Sequence, residues 1–192
     1  MKAFLLFLII IILFPIHSSG QMKYWEDLNC EQKEDILNVC KSVLIKDFYY
    51  EKFTLSSDND NIHSLLKDLV TSNDTMMSLS FFLLNRIISK SDGALSEIVG
   101  KYCVEYFALH PKFILTYFNK EKAVNVKQPL LKAYAGFVGY ELYFKREGTS
   151  NLKYSYESFK EILNSASQNN KETEETFKGF WKLVDEAIKN MN

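Results

Sequence analysis

Glu141 stands alone among Tyr140, Leu142, Tyr143 and Phe144. A carboxylate drawn into such an apolar stretch needs a partner or a raised pKa, and either makes it a candidate acid or base. It is the first choice for a functional acid in this chain. The plainer expectation is that it simply faces water. Glu97 and Glu105 lie eight apart on one side of a patterned helix. They are the carboxylates that folding would have to bring to Glu141 for acid–base work. Their side adjoins the apolar stripe, which fits solvated surface charge.

Other chemistries lack their residues, so no catalytic residue beyond this weak candidate is assigned. Removal of an N-terminal leader leaves His63 and His110 as the histidines. No HExxH, CxxC or paired Cys/His spacing occurs, so neither a metal site nor a cofactor is expected. Cys103 and His110 are seven apart on one helix face, about 10 Å along the axis. A thiol–imidazole pair needs contact of roughly 3 Å. No GxSxG elbow, GxGxxG fingerprint or phosphate loop is found, and Gly136 with Gly139 reads as a helix-packing pair.

The cysteines bear on compartment. Cys30 and Cys40 are ten apart in one expected helix, about 15 Å, whereas disulfide Cα atoms sit roughly 4.4–6.8 Å apart. Cys40 and Cys103 both lie in apolar stripes. They meet as a disulfide, as an exported protein permits, or remain buried thiols. Cys30 is then the odd one out, at a helix N-terminus that favours its thiolate. Asn73-Asp74-Thr75 fits an N-glycosylation triplet, but these residues also suit a helix cap. Tyr24, Trp25, Tyr49 and Tyr50 cluster near element ends. There they serve either a partner-binding surface or the rim of an ordinary core.

The first 20 residues set the expected destination. Lys2 precedes an uncharged stretch from Ala3 to Ile16. As a helix it spans roughly 21 Å, short of a bilayer core of about 30 Å. Pro15 breaks it, and Ser18 and Gly20 supply small side chains at −3 and −1. Residues 1–20 therefore read as a signal peptide cut between Gly20 and Gln21, with an uncleaved membrane anchor as the alternative. Removing 20 of the 192 residues leaves 172, residues 21–192, enough for one domain with a real core. Basic and acidic residues nearly balance over the whole chain, 23 against 24. No excess of positive charge exists to draw in nucleic acid.

The elements that must position any site are helical. Asn29 and Gln32 form a capping-box pattern that opens a helix expected to run to about Phe53 on Ile36, Val39, Cys40, Val43 and Phe48. A short helix spans 62–70. Residues 76–88 are apolar nearly all round, as a central helix is. Residues 91–93 read as a turn with Gly93 free to take positive φ. Leu95, Ile98, Val99, Tyr102, Cys103 and Tyr106 mark a helix that stops at His110, before Pro111. Pro111 opens a short helix carrying Phe113, Ile114, Tyr117 and Phe118, and 120–127 reads as a linker. Residues 131–144 alternate like a strand at Val138, Tyr140, Leu142 and Phe144. Helix is preferred, since no second strand is present to pair with. Two further helices cover about 154–166 and 172–190. The expected fold is all-α, one domain of about seven helices, an irregular bundle or a short α-solenoid-like array. The expected function is that of an exported, periplasmic or extracellular, non-catalytic protein binding a protein or peptide. The alternatives are an inhibitor or immunity-type protein that binds a hydrolase, and an enzyme using carboxylates from distant helices.

Overall fold

The computed structural model describes residues 23–124 and 129–191. The leader and its cleavage point lie outside these residues. The chain is all-helical, with nine α-helices among the described residues. They are α1 (Cys30–Val39), α2 (Val43–Tyr49), α3 (Ile62–Val70), α4 (Met77–Lys90), α5 (Gly93–Leu109), α6 (Pro111–Val124), α7 (Pro129–Arg146), α8 (Tyr156–Ser167) and α9 (Lys171–Lys189). Short 3-10 turns, Trp25–Asp27 and Asp74–Met76, precede α1 and α4.

The count exceeds seven partly because the first expected helix is two. Asn29 and Gln32 do form the capping box. The helix nevertheless ends at Val39, where Cys40 turns extended and Ser42 caps a new helix by accepting from the Ile45 amide. Ser42 also donates to Asp68 at 2.6 Å, tying this corner to α3. A side-chain oxygen that satisfies a free helix-end amide competes directly with continued helix. The break leaves Val39 and Val43, expected in the buried stripe, exposed to solvent.

Further corrections concern 91–93 and 120–127. Gly93 opens α5 without positive φ; among the described glycines that conformation belongs to Gly148. Helix α6 continues to Val124, so part of the expected linker is helical. Residues 131–144 lie wholly within α7. Its Tyr134, Ala135, Val138 and Leu142 are buried, and the alternation that resembled a strand has no role.

Helix α7 is the hub. It packs on α5 and α9 most extensively and also touches α4. Helix α9 in turn meets α6 and α8. Contacts of this reach make a bundle rather than a solenoid, whose repeats touch only their neighbours. The core is aromatic: Phe107, Phe118, Tyr134 and Phe180 meet with ring centroids 4.8–6.2 Å apart. Phe81 links Tyr134 to Tyr106, Phe113 and Tyr117. Such pairs add about 0.5–1.5 kcal/mol each beyond area burial. The buried apolar residues from Tyr24 to Val184 form one cluster.

His110 closes α5 and stacks near Tyr106 at 4.8 Å. Its Nε2 is buried without a hydrogen bond among the described residues. Burial holds its pKa below the ordinary value of about 6.5, against a smaller upward pull from Asp74. A depressed histidine pKa means that the unfolded chain takes up the proton first as pH falls. The stability present above pH ~6.5 is therefore lost below it. The expected result is that His110→Gln shrinks the fall in melting temperature between pH 7.5 and 5. An unchanged fall contradicts this assignment.

Candidate binding cleft on the α5–α7 seam

The cleft begins with Gly100, midway along α5. A Cβ there would sit 3.2 Å from the Phe137 carbonyl oxygen and 3.4 Å from Glu141 Oε2. The absence of a side chain lets α7 approach and places Glu141 against α5. Glu141 is only 7% exposed, which corrects the expectation that it faces water. Its Oε1 accepts a hydrogen bond from Ser150 Oγ, and the same Ser150 oxygen accepts from the Leu152 amide. The loop after α7 thus folds back to hold the carboxylate.

Around Glu141 opens a cavity of about 590 Å³. Helix α5 contributes Glu97, Ile98, Lys101 and Tyr102, α7 contributes Tyr140 and Phe144, and α3 contributes His63. His63 Nδ1 lies 3.3 Å from the Tyr102 hydroxyl, which joins α3 to the rim. Tyr140 and Phe144 rings meet at 4.6 Å. Lys101 and Glu105, both half-buried, approach to 3.9 Å, the long limit of an ion pair. Burial raises the Tyr140 pKa, and Glu97 and Glu141 both add to the rise. The two carboxylates therefore act on one phenol. Burial also raises the Tyr102 pKa, with Glu105 adding to it.

A second depression of about 320 Å³ adjoins the first and shares Glu97 and Tyr140 with it. Its other walls are Gly93, Ser96, Ala133, Gly136 and Phe137. A Cβ built on Gly93 or Gly136 meets nothing within 4 Å, so small residues leave this end open. The seam thus carries two adjacent depressions with Glu97 and Tyr140 in common, the one near Gly136 the more apolar.

The structure brings Glu141 and Glu97 to one cleft, while Glu105 stays outside its lining. His63 is exposed and sits on the rim. What links it is the fold of α3 over α5, which periodicity does not encode. The aromatics fare differently. Tyr24 and Trp25 are 4% exposed and sit in the core. Tyr24 packs on Phe113 and Tyr117, and Trp25 on Tyr49 and Phe82. Neither is available to a partner in this fold, and of the four expected partner aromatics Tyr50 alone is largely exposed, at 54%.

Of the two arrangements left open for Cys40 and Cys103, the structure has the thiols: Cys30, Cys40 and Cys103 are free. Cys40 Sγ contacts the Ser42 carbonyl oxygen at the α1–α2 corner, whereas Cys103 is buried on α5. Burial first, then Glu141, pushes the Cys103 thiol up, which disfavours its thiolate. All three thiols are expected to react with iodoacetamide in denaturant without prior reduction. Recovery of one labelled thiol would mean that a disulfide forms. Asn73 acts as a cap, accepting from the Met76 amide.

Among the described residues no group of three His, Cys, Asp or Glu is arranged to hold a metal ion. Nor is any helix among them long and apolar enough to cross a membrane. No protein-family model matches this sequence, and neither the curated proteins nor the solved structures give a significant match.

Proposed function

We propose that the chain is an exported, non-catalytic helical binding protein, and that the α5–α7 groove seats a peptide segment of its partner. The observation that carries this reading is that two adjacent depressions share Glu97 and Tyr140. An apolar pocket beside a polar one suits a segment that inserts one side chain and orients itself by another. The aromatic walls fit the usual make-up of recognition surfaces. Gly136→Trp tests it, because Gly136 lines the apolar depression and a Cβ there meets nothing within 4 Å. In size-exclusion chromatography of the native protein from its host, the wild type should co-elute with its partner. Gly136→Trp should release the partner with no fall in melting temperature. Gly179→Trp, at an exposed and unobstructed position on α9, should keep the complex. Retention of the complex by Gly136→Trp would exclude the groove.

One observation favours a second reading. Glu141 and Glu97 share the cleft, which is the arrangement an enzyme using distant carboxylates needs. Under it, Glu141→Gln abolishes turnover of whatever substrate the native complex processes and leaves the fold intact. Under the binding reading no turnover exists to lose. The inhibitor alternative is a special case of binding, with a hydrolase as the partner.

A further inference from the structure

The polar end of the groove has a definite chemical preference. It holds two carboxylates, Glu97 and Glu141, against one cation, Lys101, whose ammonium lies 3.9 Å from Glu105 and over the Tyr102 ring at 6.0 Å. Among the described residues Ser150 is the donor to Glu141, and it engages Oε1. Oε2 faces Gly100, 3.4 Å from where a Cβ would sit there. The rings of Tyr102, Tyr140 and Phe144 line the same space, together with Ile98. Carboxylates attract a cation directly, and aromatic faces attract it through their quadrupole within about 6 Å. Apolar walls suit the methylene stem that carries a lysine ammonium.

Resting on the reading of the groove as a peptide seat, we propose that its polar end is a pocket for a lysine side chain. Glu97 and Glu141 supply the countercharge, Tyr140 and Phe144 the aromatic wall, and the apolar end beside Gly136 takes a neighbouring uncharged side chain. Charge complementarity selects this occupant over an acidic one, which the two carboxylates would repel. The Tyr102 hydroxyl lies 3.3 Å from His63 Nδ1 on the same rim.

The test is a titration of the isotopically labelled protein at low salt, followed through the amide signals of Tyr102, Tyr140 and Ser150. The probe is Nα-acetyl-lysine N-methylamide, and the controls are the norleucine and glutamate analogues. Norleucine keeps the stem and lacks the ammonium. The lysine probe should bind saturably and at least tenfold more tightly than norleucine, and weaken as salt rises. The Glu97→Gln/Glu141→Gln double variant should bind lysine and norleucine alike. The amide that replaces the Glu141 carboxylate keeps an oxygen to accept from Ser150, so the fold is retained, which a melting curve checks. Equal binding of norleucine, preference for glutamate, or no response at these three amides to lysine would overturn the proposal. Those outcomes leave the groove reading separately testable, because Gly136→Trp probes the apolar end against the native partner.

Discussion

Truncating Tyr134 to Ala is expected to remove about 3–5 kcal/mol of stability, the cost of deleting a large aromatic from a sealed core. Tyr134 is fully buried on α7. Its ring meets Phe81, Phe107 and Phe118, which come from α4, α5 and α6. One side chain therefore joins four helices. Its hydroxyl donates to Asn85 Oδ1 at 2.7 Å. Burial pushes its pKa far above the ordinary tyrosine range, so it stays a neutral donor across the working pH range. Domains of this size have roughly 5–15 kcal/mol in total, so the variant should be marginal. Tyr134→Phe keeps the ring and loses only the hydroxyl, for about 1 kcal/mol. Urea unfolding of both variants checks the order. A Tyr134→Ala loss below that of Tyr134→Phe would mean that α7 is not the hub.

The second large effect is a change of sign within one helix. Gly139 faces α9 so closely that an added Cβ would lie 2.7 Å from Ala187 Cβ and 3.0 Å from the Val184 carbonyl oxygen. A backbone carbonyl cannot swing aside as the tip of a long side chain does. Gly139→Ala is expected to cost about 1–3 kcal/mol as overpacking, even after Ala's helix-propensity gain of about 1 kcal/mol. Gly136, three residues earlier, opens onto the groove with nothing within 4 Å. Gly136→Ala is therefore expected to stabilise by about 0.5–1 kcal/mol. Thermal unfolding of the two single variants should give opposite shifts. Shifts of the same sign would contradict the packing of α7 on α9.

That pair also shows what the sequence could and could not disclose. Small residues at 136 and 139 were legible as places where something approaches α7. Which glycine meets a helix and which lines an opening depends on the position of α9, set by contacts far along the chain. The all-α class was legible because Leu95 to Tyr106 and Phe177 to Ile188 repeat at helical spacing. The division of the first helix into α1 and α2 was not legible, because Ser42 is unremarkable in a periodic stretch. In the fold it caps α2 and also donates to Asp68 of α3, a contact that periodicity does not reveal. Glu141 stood out for its apolar neighbours, and its burial follows from Gly100 and Ser150, 41 and nine positions away. Tyr24 and Trp25 were ambiguous in sequence because rims of cores and recognition surfaces draw on the same side chains. Only their packing on α2, α4 and α6 places them inside.

The central claim, that a partner occupies the α5–α7 groove, is tested most directly by photo-crosslinking in the native host. A benzophenone amino acid is placed at Gly136, which tolerates a side chain, and at Gly179 as the control on α9. The account predicts one adduct of discrete mass from position 136, none from position 179, and loss of the adduct when Glu97→Lys reverses the charge at the junction of the two depressions. No adduct at position 136, or the same adduct from both positions, would contradict it.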